Sequence, residues 1–473
     1  MWTREQLQPL VRQEPDQLVE IILALQKHIQ ELEARLALNS RNSSKPPSSD
    51  GYPKPAPKSE RPKSNLKSGG QQGHNGHTLK AVEKPDLLIP HPLDLCPGGC
   101  GGSLHGQPLL RYESRQVFEL PALHLEVTEH RAEVKLCPRC KQEVCAPFPP
   151  GVVAPAQYGP RFLAWLVYCR VQQLLPLERI RQMCQDLLGH SLSEGTIQTA
   201  CENTETQLRP FQSAVEGLLT QATVAHADET GIRVAGKLHW LHVLSSKLLT
   251  WYGVHAKRGT KAIADFGLLR SFQGRLVHDC FSSYLGLLCK HALCGAHLLR
   301  ELTFLFDQLD QAWAGKLHNL LLDMHRLVTQ QKAKGASGLS PPQLAIWRQR
   351  YDALIAQGRR ANPEPSAPQQ KRRGRPKKSK PQNLLDRLEH HADNVLAFLS
   401  DFRIPFSNNL AEQDLRMIKV QQKISGGFRT LHGARTFVMV RSYVSTLRKN
   451  HQDILAGMAN ALGSHPFIPS LAD

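Results

Sequence analysis

Between Thr223 and Tyr284, short runs of β-branched and aromatic residues are separated by turn signals, a pattern that constrains the fold more than any other stretch of the chain. Val224-Ala-His-Ala-Asp228 reads as one strand. Gly231-Ile-Arg-Val234 turns through Ala235-Gly-Lys237 into Leu238-His-Trp-Leu-His-Val-Leu244, and Leu248-Leu-Thr-Trp-Tyr-Gly-Val254 adds another strand. A helix over Thr260 to Phe272, closed by Gln273-Gly274, leads into the strand Arg275-Leu-Val-His-Asp279. The order β-β-β-α-β demands a mixed sheet, with an acid at the end of its first and fourth strands.

That order describes a sheet of the ribonuclease H type, in which adjacent strands bring Asp228 and Asp279 together. Converging carboxylates suit a pair of divalent ions roughly 3.5 to 4 Å apart, which activate an oxygen nucleophile and neutralise a leaving 3′ oxygen. A third acid must come from elsewhere. Glu412 is the candidate, on a helix within Ser407-Asn-Asn-Leu-Ala-Glu-Gln-Asp-Leu-Arg-Met-Ile-Lys-Val420 whose stripe of Ala411, Leu415 and Ile418 packs on the sheet. Each acid also has a purely structural reading. Asn409 and Glu412 have capping-box spacing, Glu412 and Arg416 suit an i,i+4 ion pair, and Asp228 and Asp279 suit turns or caps. Glu229 is a rival ligand.

The 59 Lys and Arg against 41 Asp and Glu give a net charge of +18, which favours a polyanionic partner, nucleic acid first. A length of 473 residues implies several domains rather than one. No apolar run reaches the roughly 18 residues of a membrane span, and Met1 to Asp16 lacks the apolar core of a signal peptide, so a cytoplasmic, nucleoid-associated protein is expected. Eleven cysteines in close pairs point to metal binding rather than disulfides.

Leu18, Ile22, Leu25, Ile29, Leu32 and Leu36 form a heptad seam, expected to make a coiled coil or an amphipathic helix packed on its own chain. A Ser-, Pro-, Gly- and Lys-rich stretch to about Pro85 cannot bury a core and reads as a basic linker. Cys96-Pro-Gly-Gly-Cys100 and Cys137-Pro-Arg-Cys140 are separated by alternating patterns, Val117-Phe-Glu-Leu120 and His124-Leu-Glu-Val127. Two knuckles joined by strands make a zinc ribbon, with four thiolates on structural Zn²⁺. Cys145 is a spare. Tyr158 to Thr206 reads as helices broken at Gly189-His190-Ser191 and restarted at Ser193, a helix-turn-helix pattern with a DNA-reading or a packing role. Lys371-Arg-Arg-Gly-Arg-Pro-Lys-Lys378 resembles an AT-hook through Arg373 and Arg375, or is a charged linker. Arg416, Lys419, Lys423, Arg429 and Arg435 are candidate phosphate contacts.

Together these motifs resemble the transposases of the insertion sequence 66 family. The resemblance rests on the N-terminal zipper, the Ser-Ser-Lys-Pro-Pro-Ser-Ser-Asp stretch ending at Asp50 and the paired cysteines. It continues through Asp228-Glu-Thr230, His-Asp-Cys-Phe-Ser-Ser-Tyr284, Cys294-Gly-Ala-His297 with Arg300, and Asn408-Asn-Leu-Ala-Glu412. Gln413 stands where the family pattern usually has Arg, and the Gly-Gly in the first cysteine pair is a second departure. The resemblance implies a DDE triad on Asp228, Asp279 and Glu412, holding Mg²⁺ or Mn²⁺. Cys294 and His297 match a Cys-His pair found in DDE transposases where a helical insertion begins.

The expected fold is multidomain α+β. A coiled coil (1–38), a linker (39–85), a zinc-ribbon-like domain (86–150) and a helical DNA-binding segment (155–215) precede a ribonuclease-H-like core. That core spans 220–292 and 401–473, split by a helical insertion (293–400) carrying a basic linker (361–381). The expected activity is metal-dependent cleavage at terminal inverted repeats and joining of 3′ ends to target DNA, by at least a dimer and with possible companion proteins of the element. A catalytically inactive DNA-binding protein derived from a transposase, and a metal-dependent nuclease without strand transfer, are the alternatives.

Overall fold

The computed structural model describes residues 15–39, 42–43, 78–363 and 378–470. Contacts separate one unit, Lys54–Val127, from a second made of Met1–Pro53 and Thr128–Asp473. In the smaller unit Leu95 bridges Ser103, and the Cys96 N–H donates to the Gly102 carbonyl at 2.9 Å, closing a loop around the first cysteine pair. Val117–Leu120 and His124–Val127 are not strands. Val117 and Val127 are 87% and 89% exposed, so their alternation has no facing layer to bury against.

In the larger unit, α1 (Pro15–Leu36) carries the heptad residues, of which Ile22, Leu25, Ile29, Leu32 and Leu36 are exposed. A hairpin of β1 (Val134–Leu136) and β2 (Glu143–Cys145) brackets Cys137 and Cys140. Four helices follow: α2 (Pro160–Val171), α3 (Leu177–Leu188), α4 (Glu194–Gln207) and α5 (Arg209–Thr220). Gly189 ends α3 with φ 62°, which only glycine adopts without strain, and the Ser193 hydroxyl caps α4 by accepting from the Thr196 N–H. The helix break expected there is present.

The main sheet contains β3 (Val224–Val234), β4 (Lys237–Ser245) and β5 (Thr250–His255). Next comes α6 (Thr260–Phe266), ended early by left-handed Gly267 so that Leu268–Arg270 forms a separate 3₁₀ turn. Then follow β6 (Arg275–His278), α7 (Ser282–Leu285) and β7 (Lys290–Leu293). The strand order is β5-β4-β3-β6-β7. β3, β4 and β5 form an antiparallel meander, whereas β6 is parallel to β3 and β7 parallel to β6. Two details differ from the sequence reading. The segments on either side of Asp228 are one continuous strand, because β4 pairs with β3 from His226 to Val234, and β7 is an additional strand.

Beyond β7 the chain is helical: α8 (Gly295–Leu309), α9 (Ala312–Ala333), α10 (Pro341–Ala361), α11 (Lys380–His390), α12 (Ala392–Val395), α13 (Ala397–Ser400), α14 (Asn409–Ser425), α15 (Leu431–Lys449) and α16 (Ile454–Leu462). Two cores flank the sheet. Leu276 belongs to one, with Phe211 of α5, Ile418 of α14 and Tyr443 of α15; Val277 belongs to the other, with Leu302, Trp313, Leu317 and Leu385. Alternate side chains of one parallel strand thus enter opposite layers, as expected for a strand covered on both faces. Residues of α2, α4 and α5 share the first core with the sheet, while the insertion helices build the second, which also takes Ala34 of α1.

Candidate active site

Parallel pairing of β3 and β6 ends at His226 opposite Val277, and Asp228 and Asp279 lie two residues beyond that pair in each segment. The common offset and the period of two put both carboxylates on one face, at the point where β3 parts from β6. Asp228 Oδ1 accepts from the Glu229 N–H at 2.8 Å, and Asp279 Oδ1 from the Phe281 N–H at 3.0 Å, so each aspartate is oriented by a backbone N–H just downstream of it. Burial, then the charges of Glu229, Asp279 and Glu412, holds the Asp228 carboxyl well above the usual aspartate range. Those causes bring the three candidate acids into one electrostatic neighbourhood.

Glu412 sits in the first turn of α14, where the helix dipole favours a carboxylate. The capping-box alternative is not realised. Helix α14 starts at Asn409, and the preceding Asn408 side chain does not cap it. Instead the Asn408 carboxamide donates to the Ala227 carbonyl at 2.9 Å and accepts from His226 Nδ1 at 3.0 Å, while its backbone N–H donates to Cys294 Sγ at 3.1 Å. Burial pushes His226 down to about 4, so its neutral ring is the donor to Asn408. This fully buried asparagine fastens the loop before Glu412 to the strand carrying Asp228.

A second anchor lies on α14 two residues beyond Glu412. Asp414 pairs with Lys449 at 2.9 Å and accepts from Ser245 at 2.6 Å, and its carbonyl accepts from Tyr252 at 2.9 Å. Held at Asn408 and again at Asp414, the first turns of α14 are tied to β3, β4 and β5. The positioning roles of Asn408 and Asp414 were not assigned from sequence, because Cys294 and Ser245, to which they bond, are more than 100 residues away.

Glu229 is committed elsewhere. Its carboxylate, 1% exposed, accepts from Tyr284 and from Arg258, at 2.7 and 2.8 Å. Arg258 in turn lies over the rings of Phe281 and Trp240.

Cys294 follows β7 and is the N-cap of α8, where Gly295 packs under Phe406 too closely to admit a Cβ. Burial pushes the Cys294 thiol up to about 11. His297 Nδ1 lies 3.6 Å from Glu412 Oε1. Burial and Arg300 pull the His297 imidazole down, against the attraction of Glu412 and Asp279. Among the described residues, Cys294, His297 and Glu412 are the one group of three whose ligand atoms lie within 4.8 Å of one another, so the three candidate acids form no set that tight.

Of the basic candidates, Arg416, Lys423, Arg429 and Arg435 are exposed. Lys419 donates to the Gly231 carbonyl at 2.9 Å, which ties it to β3. Arg373 and Arg375 lie outside the described residues. In each cysteine pair one thiol is drawn below its usual range: Cys100 by the Gly102 backbone and by Cys96, Cys137 by the backbone of Cys140 and Arg139. Cys96 and Cys100 belong to the smaller unit, Cys137 and Cys140 to the larger.

A family model described as "Transposase IS66 family" matches residues 155–436, which include both aspartates, Cys294, His297 and Glu412. The chain belongs to the IS66 transposase family. Membership carries a transposase role, and with it DNA as partner and a divalent cation as cofactor. A second model, a family of unknown function called DUF6444, matches residues 4–80. No curated protein matches the chain. For an IS66 transposase the donor set fits the cation. Asp228 is held among three further carboxylates that raise it or lie beside it, a repulsion that hard-oxygen binding of a divalent ion relieves. Among the described residues, no helix is long and apolar enough to cross a membrane.

Proposed function

We propose that the chain is a DDE transposase that binds the terminal inverted repeats of its element, cleaves DNA by metal-dependent hydrolysis, and joins the freed 3′ ends to target DNA. The observation that carries this reading is the common offset of Asp228 and Asp279 from the last β3–β6 pair, with Glu412 entering from α14. The sheet order with its antiparallel meander and parallel flank supports a ribonuclease-H-like core over 220–292 and 401–473, interrupted by the helical insertion 293–400.

Asp228, Asp279 and Glu412 are the ligands for Mg²⁺ or Mn²⁺, an ion that supplies charge neutralisation at the scissile phosphate. The chain's own part is positioning. Asn408 and Asp414 set α14, and Glu229 holds Tyr284 and Arg258 beneath the Asp279 turn. Arg416, Lys419, Lys423 and Arg429, with Arg373 and Arg375 from the basic linker, contact DNA. Each thiolate-favouring knuckle, Cys96 with Cys100 and Cys137 with Cys140, supplies ligands for structural Zn²⁺, and 155–215 contributes to DNA binding. The exposed seam of α1 supports a coiled-coil dimer, the minimum for pairing two element ends.

The test is Mg²⁺-dependent nicking and joining of DNA carrying the element ends, comparing wild type with Asp228→Asn, Asp279→Asn and Glu412→Gln. End-specific products lost in all three with DNA binding retained support the reading. Binding without cleavage, even with companion proteins of the element added, favours the inactive DNA-binding alternative, and cleavage without joined products favours a nuclease.

A further inference from the structure

Two polar atoms at the starts of α8 and α14 are shielded from solvent yet have no hydrogen-bond partner: His297 Nδ1 and Glu412 Oε1. They face each other at 3.6 Å, too far for a good hydrogen bond. Two such atoms turned towards each other without bonding mark a place for a third body, since a buried unpaired polar group costs free energy. Cys294 Sγ completes the group, with all three ligand atoms within 4.8 Å of one another.

We propose that Cys294 Sγ, His297 Nδ1 and Glu412 Oε1 form a Zn²⁺ site distinct from the carboxylate site, and that Zn²⁺ there withholds Glu412 from Asp228 and Asp279. The second half rests on the reading of the triad given above. The donors are one sulfur, one imidazole nitrogen and one carboxylate oxygen, a mixture that suits zinc, whereas Mg²⁺ avoids thiolate. Bond lengths of about 2.0 to 2.3 Å to tetrahedral zinc separate neighbouring ligand atoms by roughly 3.3 to 3.8 Å. The 3.6 Å between His297 and Glu412 already falls in that range.

The backbone is arranged for the same end. Cys294 precedes α8 and His297 lies in its first turn, while the Asn408 N–H donates to the cysteine sulfur, a contact that stabilises the thiolate form a metal requires. Binding releases the thiol proton to solvent as the zinc–sulfur bond forms. Three protein ligands leave a fourth position for water on the side where Glu412 is 35% exposed. Glu412 is the shared element. An Oε1 held beside His297 fixes the side chain in the orientation it has here, turned towards α8, so zinc and the catalytic cation compete.

Zinc content of the dialysed full-length chain tests the site. Wild type is expected to retain one more equivalent of Zn²⁺ than Cys294→Ser or His297→Gln, with the four paired cysteines unchanged in all three and folding checked by circular dichroism. Equal zinc in wild type and a folded variant of either kind overturns the site. Competition is read without activity, from Mn²⁺ binding followed by electron paramagnetic resonance. The extra zinc equivalent is expected to weaken Mn²⁺ binding at least tenfold in wild type and not in Cys294→Ser. Bound zinc that leaves Mn²⁺ affinity unchanged overturns the competition. Mn²⁺ binding that is insensitive to Asp228→Asn overturns the triad, and the competition built on it, while the zinc content still decides the site.

Discussion

Tyr284 donates its hydroxyl to Glu229 Oε2 at 2.7 Å, joining segments 55 residues apart in sequence. The bond links the strand of Asp228 to the short helix that follows Asp279. Burial raises the Glu229 carboxyl above its usual range, while Tyr284 and Arg258 act to lower it, so the group depends on both donors. Tyr284→Phe keeps the ring and removes one of them. The expected loss is about 1 to 3 kcal/mol of stability, as for a buried acceptor stripped of a donor, with a fall in cleavage because the Asp279 turn loosens. Urea unfolding and single-turnover nicking measure the two effects.

The Asp414–Lys449 pair should be costlier to break than any surface ion pair in the chain. Both side chains are only 12% exposed, and Lys449 also donates to the carbonyls of Ser246 and Leu249. Asp414→Ala leaves a buried ammonium without its counter-charge, and the expected cost is on the order of 3 to 5 kcal/mol. Asp414→Ala combined with Lys449→Met should recover a good part of that loss in denaturant unfolding. A double variant no more stable than the single one would assign the cost to the Ser245 and Thr250 hydroxyls left behind.

His242 gives the fold an acid-sensitive point away from the carboxylates. It is buried on β4 with its ring edge-on to Phe266 at 5.3 Å, and burial pushes its pKa from 6.5 to about 4. Because the folded value is depressed, the unfolded chain takes up a proton first as pH falls. Stability from this residue is therefore complete above about 6.5, declines through the window down to 4, and by the bottom of it has cost about 3 kcal/mol. His242→Phe should flatten that part of the pH profile, as measured by chemical unfolding between pH 7 and 4.

Local chemistry made much of this architecture legible. Strand alternation and turn residues located β4, β5 and β6, and Gly189 and Ser193 marked a helix end and a helix start. Other features were set by distant partners. The strand through Asp228 runs on to Val234 because β4 pairs along that whole stretch, and the four-residue β7 exists because β6 offers it a parallel edge. The pattern in Val117–Val127 is that of strands, yet none of those residues is in a strand and all but Leu125 are exposed. At the site, Asp228 and Asp279 stood out as acids of neighbouring strand segments, although Asp228 lies within β3 rather than at its end. The contact of Glu412 with His297 was not, since the two lie on helices whose approach depends on Asn408 and Asp414 bonding to β-strand residues far away in sequence.

The crowding of acids around Asp228 makes cation binding measurable as stability. In wild type Asp228 is partly buried and repelled by Glu229, Asp279 and Glu412, so the fold pays for holding it there. Mg²⁺ or Mn²⁺ bound only by the folded chain adds about 2.7 kcal/mol at a hundredfold excess over Kd, enough to raise the melting temperature by several degrees. Asp228→Asn removes both the repulsion and a ligand. The variant should melt at or above the metal-free wild type and show little response to added Mn²⁺, as followed by differential scanning calorimetry. A variant that melts lower than metal-free wild type, or keeps the full Mn²⁺ response, would argue that Asp228 is a structural turn residue rather than a ligand.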